Sequence, residues 1–306
     1  MLVVGSLNID LVVGVEHWPR PGETLMGTSL AWHPGGKGAN QAAAAAAAGA
    51  ATAMVGRVGA DQFGETLISA MGSFGVDVSQ ISRDQQAPTG TAIIGVEPGG
   101  ENRIVVLAGA NANVSTSDLD SVNWSQFSVV LLQLEIPVHV VMEAARRAHA
   151  AGCTVLLDPA PAVPLPSEIW NAIDIVTPNE HEAQALGALA IRSPEQGIVQ
   201  ADALRRRYQV SVIIKLGGRG CVAALDQGQW HFEAIKVEAK DATAAGDIFS
   251  GALAARLVSG YGMHDAITWA NACAALSTTR RGAMSSVPTA AEVDRFVSRM
   301  SKAVTL

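Results

Sequence analysis

At 306 residues the chain can bury a substantial core, as one large α/β domain or two ordinary ones. With 49% hydrophobic and 16% charged residues it is not a disordered polar chain. A formal net charge of -7 with 21 Lys and Arg argues against a nucleic-acid partner, whose phosphates need clustered cations; a small anion needs only a few local groups.

The chain opens on a predicted strand, Leu2–Leu7, with no basic segment or small-residue cleavage site before it, so no signal peptide is expected. Ile9–Val15 and Thr24–Trp32 read as strand, turn, strand around Trp18-Pro19-Arg20-Pro21-Gly22. The first helix covers Gly38–Ala50. The longest uncharged, mostly apolar run, Ala42 to Gly56, is shorter than the roughly 18 residues a membrane span needs, so no membrane association is expected. Helix Gly64–Phe74 precedes a hairpin, Thr91–Val96 and Arg103–Ala108, turned by Glu97-Pro98-Gly99-Gly100-Glu101-Asn102. Strand Val129–Leu134 leads to helix Pro137–Ala151, its proline suited to a first turn. Then come strands Thr154–Asp158 and Ile173–Thr177, helices Asn179–Gly187 and Pro194–Tyr208, and strands Val212–Leu216 and Gln229–Val237. Helices Gly246–Ser259, His264–Thr279 and Ala290–Arg299 end the chain.

This alternation predicts an α/β fold with a mainly parallel central sheet flanked by helices on both faces. The helix-free strands within about 9–34 and 90–109 predict a small β-sheet lid. No linker or repeat divides the chain, so 1–306 reads as a single domain with that lid. Cys153, Cys221 and Cys273 form no CxxC and cannot all pair, which suits buried thiols in a reducing cytoplasm.

Several segments can carry chemistry. Gly35-Gly36-Lys37-Gly38-Ala39-Asn40-Gln41 is a glycine-rich turn feeding a helix, with backbone donors beside Lys37 and Asn40; Gly38 stands where a P-loop needs Ser or Thr, so it is not a P-loop. Glu135 ends an apolar strand, where open α/β sheets bind ligands, and Asp10 stands beside the lid; both suit sugar hydroxyls. Thr177-Pro178-Asn179-Glu180-His181-Glu182 reads either as a capping box or as a group reaching a metal-bound phosphate. Leu216-Gly217-Gly218-Arg219-Gly220 is a glycine turn after a strand. In Ala244-Ala245-Gly246-Asp247, small residues let helix-terminal amides converge on an anion, with Asp247 held against them; a plain N-cap aspartate is the simpler alternative.

Together and in this order, Gly5–Asp10, Gly35–Gln41, Leu132–Glu135, Asp158–Ala162, Thr177–Glu182, Leu216–Gly220, Asp241–Asp247 and Thr279–Pro288 resemble the carbohydrate kinases of the ribokinase family, from Leu2 to about Val297. The resemblance implies ATP-dependent phosphorylation of D-ribose at O5, with kinases of deoxyribose, a ketohexose or a nucleoside as alternatives, and a non-catalytic sugar-binding protein as a further one. Asn8, Asp10, Gly36, Lys37, Gly38, Asn40 and Glu135 would hold the sugar. Asn179, Lys215, Leu216, Gly217, Gly218, Gly220, Gly246 and Asn271 would line the nucleotide site. Asp247 would be the catalytic base, beside an anion hole of Ala244, Ala245 and Gly246. Glu182 would order Mg²⁺ or another divalent cation through waters. Asp241, Thr243, Ser277, Arg280, Gly282 and Ser286 would hold an activating K⁺, and the lid would form a homodimer interface. Trp32 and His33 are possible platforms for a nucleoside base. Two residues depart from the family pattern: Lys215, where Thr is usual before Leu-Gly, and Ala242, where a hydroxyl residue is usual.

Overall fold

The computed structural model describes residues 1–99 and 101–303. In chain order its elements are β1 Leu2–Val4, β2 Asn8–Gly14, β3 Ser29–Gly35, α1 Lys37–Ala47, β4 Ala53–Gly59, α2 Gln62–Ser73, β5 Asp77–Asp84, β6 Gly90–Val96 and β7 Asn102–Leu107. They continue with β8 Val129–Leu132, α3 Val138–Ala150, β9 Thr154–Leu157, β10 Ile175–Val176, α4 Glu180–Ala185, α5 Pro194–Tyr208, β11 Ser211–Lys215, β12 Cys221–Leu225 and β13 Gly228–Phe232. Helices α6 Ala245–Val258, α7 Met263–Ser277 and α8 Ala290–Ala303 close the chain.

The main sheet has nine strands in the order β13-β12-β11-β10-β9-β8-β1-β4-β5. From β5 to β11 the neighbours are parallel; β12 and β13 add an antiparallel edge. Side-chain alternation splits the interior into two layers. Val3, Leu131, Leu156, Ile175 and Ile213 pack with α1, α2, α6, α7 and α8. Leu2, Val4, Val130, Leu132, Val155, Leu157, Val212 and Ile214 pack with α3, α4 and α5. The predicted sheet covered by helices on both faces is thus what the chain forms.

Within the first layer α1 and α6 lie unusually close. A Cβ on Gly251 of α6 would meet the Gln41 carbonyl oxygen and come 2.9 Å from the Ala44 Cβ. The alanine run of α1 leaves room for that approach, because it adds no side chain beyond a methyl.

The lid is a second sheet, ordered β3-β2-β6-β7. Its two hairpins join through a parallel β2–β6 pair. Gly100, in the expected turn of the second hairpin, lies outside the described residues. Cross-strand register puts Asp10, His33, Ala92 and Val106 on one lid face, and Trp32, Leu11, Ile93 and Val105 on the other.

Several elements differ from the sequence reading. Strands β4, β5 and β12 were not expected. Asp77–Asp84 is an edge strand with few apolar residues, and Arg57 and two glycines interrupt the apolar pattern of β4. The second lid strand begins at Ser29, not Thr24, and β13 stops at Phe232, short of Val237. Strand β1 ends at Val4, since Gly5 to Leu7 turn beneath α1, and β10 keeps two residues of the predicted five. Pro137 is the N-cap of α3, one residue ahead of its first turn. No helix among the described residues is long and apolar enough to cross a membrane.

Candidate active site

Chain order reverses between β1 and β8, and the carboxyl ends of the parallel strands around that point deliver the polar residues, as open α/β sheets do. The loop after β1 supplies Ser6 and leads to Asn8 at the start of β2, that after β8 supplies Glu135, that after β9 Asp158, and that after β10 Asn179.

Glycines let α1 start against the β1 loop. Gly36, the N-cap, has φ 91°, and a Cβ there would lie 2.7 Å from the Asn8 amide; one on Gly38 would lie 2.6 Å from the Ser6 amide. This contact makes the Glu135 carboxylate a clasp: it accepts from the Lys37 amide at 3.0 Å and from Ser6 Oγ at 2.5 Å, while Ser6 Oγ accepts from the Gly38 amide at 3.3 Å. Sequence reasoning gave Ser6 no role, and nothing about an isolated serine after a strand signals one.

On the lid side a cleft of about 410 Å³ is lined by Asn8, Val106, Asn111, Leu134, Glu135 and Pro161, among others. Asn111, also missed, fixes Asn8: its Nδ2 donates to Asn8 Oδ1 at 2.8 Å and to the Leu7 carbonyl at 2.9 Å, and its Oδ1 accepts from the Leu7 amide at 2.9 Å. Asp10 shares the lid face of Val106. Burial, with the charges of Glu135 and Asp247 adding to it, pushes its carboxyl up to about 7. Trp32 faces the other way, so of the two platforms for a base only His33 shares Asp10's face.

At the centre lie two buried carboxylates, Asp247 in the first turn of α6 and Asp158 after β9. Asn40 Nδ2 donates to Asp247 Oδ2 at 3.0 Å. Gln41 Nε2 donates to Asp158 at 2.9 Å and reaches Asp247 Oδ1 at 3.4 Å, and Gln133 Nε2 donates to Gln41 Oε1 at 2.6 Å. Ser250 Oγ, 3.2 Å from Asp158, completes the network. Burial raises the Asp247 carboxyl, and the Lys37 ammonium opposes that shift. Lys37 in turn is held well above the ordinary lysine value, chiefly by Asp247. Asn40 Oδ1 is buried with no partner, a polar atom left for a ligand.

Helix α6 starts without a side-chain cap. Ala244, its N-cap, adopts the left-handed conformation with φ 59°, rare for a residue with a Cβ. Amides in a helix's first turn have no carbonyl four residues back within the helix, so that of Gly246 faces outward from the terminus. The Ala245 amide is already given to the Ala242 carbonyl at 3.2 Å, so of the three expected anion-hole residues it is the one committed elsewhere.

Toward the expected nucleotide region, Asn179 and Glu182 form a complete capping box: both Glu182 oxygens accept from Asn179, its amide at 2.7 Å and its Nδ2 at 2.8 Å. Glu182 is buried, and that burial raises its carboxyl while Lys215 pulls the other way. Gly217 and Gly218 are exposed, whereas Leu216 is core. A Cβ on Gly220, where φ is 83°, would run into the Phe232 carbonyl. Arg219 pairs with Glu180, tying this turn to α4. Asn271 donates to the Glu233 carbonyl at 2.8 Å, so one of its two amide hydrogens holds a loop. Lys215 turns inward and pairs with Asp158 at 2.9 Å. Among the described residues no three His, Cys, Asp or Glu side chains gather as a metal cage. Glu182 is the expected partner of a divalent cation, and both of its oxygens already accept from Asn179.

Asp241 joins two loops. One oxygen accepts from the Thr243 amide at 2.9 Å and hydroxyl at 2.6 Å, the other from the Gly282 amide at 2.8 Å. Burial alone would raise this carboxyl, but those bonds hold it below its ordinary value. Arg280 pairs with Glu292 at 2.6 Å and not with Asp241, so only its backbone remains for an ion. Ser277 and Ser286 turn their hydroxyls to the Ala274 and Ala283 carbonyls.

The model of the pfkB family carbohydrate kinases matches residues 1–290. Ribokinase of Haemophilus influenzae is 37% identical over 299 residues, covering 97% of this chain and 98% of that one. Deoxyribokinase of Salmonella typhi is 30% identical over 97% and 98%. The solved structure of Arabidopsis thaliana ribokinase complexed with ribose and ATP superimposes with a TM-score of 0.89 at 33% identity, covering 96% of this chain and 97% of that one.

The Asp10 environment gives a test of the site's electrostatics. Its carboxyl is raised in the folded state, so between about pH 4 and 7 the folded chain keeps a proton that the unfolded chain has lost. Stability from this group is therefore present at low pH and lost as pH rises through about 7. Asp10→Asn is expected to raise Tm at pH 8 by roughly 2 °C or more relative to its effect at pH 5. Thermal melts showing the same difference at both pH values would contradict this origin.

Proposed function

The chain belongs to the pfkB family of carbohydrate kinases, and from that premise we propose that it is a ribokinase, transferring the γ-phosphoryl group of ATP to O5 of D-ribose. The observation that carries this reading is the buried Asp247 carboxylate at the open start of α6, fixed by Asn40 and flanked by Lys37. As the O5–phosphorus bond forms, Asp247 accepts the hydroxyl proton, and the electron pair of the breaking bond leaves with ADP. The Gly246 amide and the helix terminus favour the charge spread over the transferring oxygens. Glu182 would order Mg²⁺ through waters, and the ion would neutralise charge on the phosphates.

Asn8, Asp10, Lys37, Asn40 and Glu135, with the backbone at Gly36 and Gly38, present donors and acceptors suited to several hydroxyls. Trp32, facing away, favours a small polyol over a nucleoside. Deoxyribose is the second reading, supported by the likeness to a deoxyribokinase. The nucleotide would lie along Asn179, Leu216 to Gly220 and Asn271. We read 1–306 as one kinase unit, and three buried unpaired cysteines suit a reducing cytoplasm.

In a coupled assay with ATP and Mg²⁺, D-ribose is expected to give the highest kcat/KM among pentoses, hexoses and nucleosides, and Asp247→Asn to lower kcat by ~10²–10⁴-fold while sugar still binds. Ala244 and not Asp247 is the N-cap of α6, so the plain-cap alternative is not what the chain forms; near-normal turnover of that variant would remove Asp247 as the base.

The Asp241 clasp holds the loop that leads into Ala244, so an ion bound there would fix the phosphate-binding amides. Donors fit at Asp241, Thr243, Gly282 and the backbone of Arg280, with Ser277 and Ser286 nearby. K⁺ is expected to raise turnover about 5-fold or more over tetramethylammonium at equal ionic strength; equal rates would remove the ion.

The lid sheet leaves apolar residues open on both faces: Leu30, Trp32, Val105 and Leu107 on one, Ile104 and Val106 on the other, each at least half exposed. A second copy covering them would give a homodimer. Light scattering at micromolar concentration is expected to give twice the chain mass, and a monomer there would remove the dimer.

A further inference from the structure

Five carboxyl groups crowd the site: Asp10, Glu135, Asp158, Glu182 and Asp247. An anionic nucleotide entering among them needs cations. Two ammonium groups stand there, and they are on different sides. Lys37 lies with the sugar residues, its amide on Glu135. Lys215 ends β11, immediately before the glycine turn of the nucleotide region, and its backbone bridges to Asn179.

The Lys215 side chain does not point out along that turn. It runs back over the start of α6, its Nζ 3.4 Å from where a Cβ on Gly246 would be. A helix N-terminus is the positive end of the dipole, an unfavourable place for an ammonium group unless anions hold it. Asp158 is one such anion, and its other oxygen is saturated by Gln41 and Ser250, so it is a rigid anchor. One of the three ammonium donors is spent on it. Gly246 leaves the space beside the other two free, since a Cβ there would already be in van der Waals contact with the lysine and a longer side chain would compete for that space.

Resting on the kinase reading above, we propose that Lys215 is a catalytic residue that contacts the transferring phosphoryl group of ATP, held over the α6 terminus by Asp158. The lysine forms and loses no covalent bond. Its charge supplements the Gly246 amide at the equatorial oxygens, where a fixed donor has most effect as negative charge redistributes. The contact is to the γ-phosphate, so it separates ATP from ADP.

The test compares wild type, Lys215→Met, and the double variant Asp158→Asn/Lys215→Met, which restores charge balance where the single change leaves a buried carboxylate unpaired. Lys215→Met is expected to lower kcat by ~10²–10³-fold with sugar KM within about threefold of wild type. By calorimetry in Mg²⁺, its affinity for a non-hydrolysable ATP analogue should fall about tenfold or more, and its affinity for ADP less than about twofold. The double variant should remain as slow as the single. Recovery of kcat in the double variant, or equal weakening of the ATP analogue and ADP, would overturn the proposal and leave Lys215 as the counter-ion of Asp158. A wild-type protein that phosphorylates no sugar would instead defeat the kinase reading, and the calorimetric comparison would still decide the phosphate contact.

Discussion

Two carboxylates buried side by side repel each other and lose their hydration, and the centre of this molecule is organised around making that tolerable. Gln41 is the device. Its amide group stands between Asp158 and Asp247 and reaches toward both, while Gln133 fixes its orientation by donating to its oxygen. Lys215 and Asn40 complete the satisfaction from either side. A hydrogen-bonded set of this kind in a low-dielectric interior is rigid, because each lost partner strands a buried charge. Rigidity here places a base where a hydroxyl must lose its proton, with no loop flexibility to dilute it.

That set can exist only if α1 and α6 approach closely, since Asn40 and Gln41 ride on one and Asp247 and Ser250 on the other. The sequence Gln41-Ala42-Ala43-Ala44 facing Gly251 meets this requirement with methyl groups and a missing side chain. The alanine content of α1, which looks like weak patterning, is thus a distance specification between two functional helices. The same economy recurs at Gly36 and Gly38, where backbone meets backbone at the mouth of the site.

Much of this was legible before the fold was known. Glycine clusters and carboxylates at strand ends marked Asp10, Gly36, Lys37, Asn40, Glu135 and Asp247, because such chemistry needs rare local residue types. What escaped were residues whose meaning comes only from three-dimensional neighbours. Gln41, Ser6 and Asn111 are ordinary polar residues until they are found more than 90 positions away from their partners. Asp158 sat within a recognised segment but carried no assigned role, since its partners Gln41, Lys215 and Ser250 come from three separate elements. Strand β5 was missed for a different reason: an edge strand with one wet face lacks the apolar run that betrays a central strand.

The lid is made from two separate excursions of the chain, stitched by the parallel β2–β6 pair, and both excursions leave the body beside Asn111. Asn8 sits at that seam, Asp10 rides on the lid two residues beyond it, and Glu135 belongs wholly to the body. Any tilt of the lid about its seam therefore carries one hand of the sugar's grip away from the other. Capture and release of the small molecule are then the same mechanical event as the opening of the sheet, and a ligand touching only one of the two halves would have no hold on that motion.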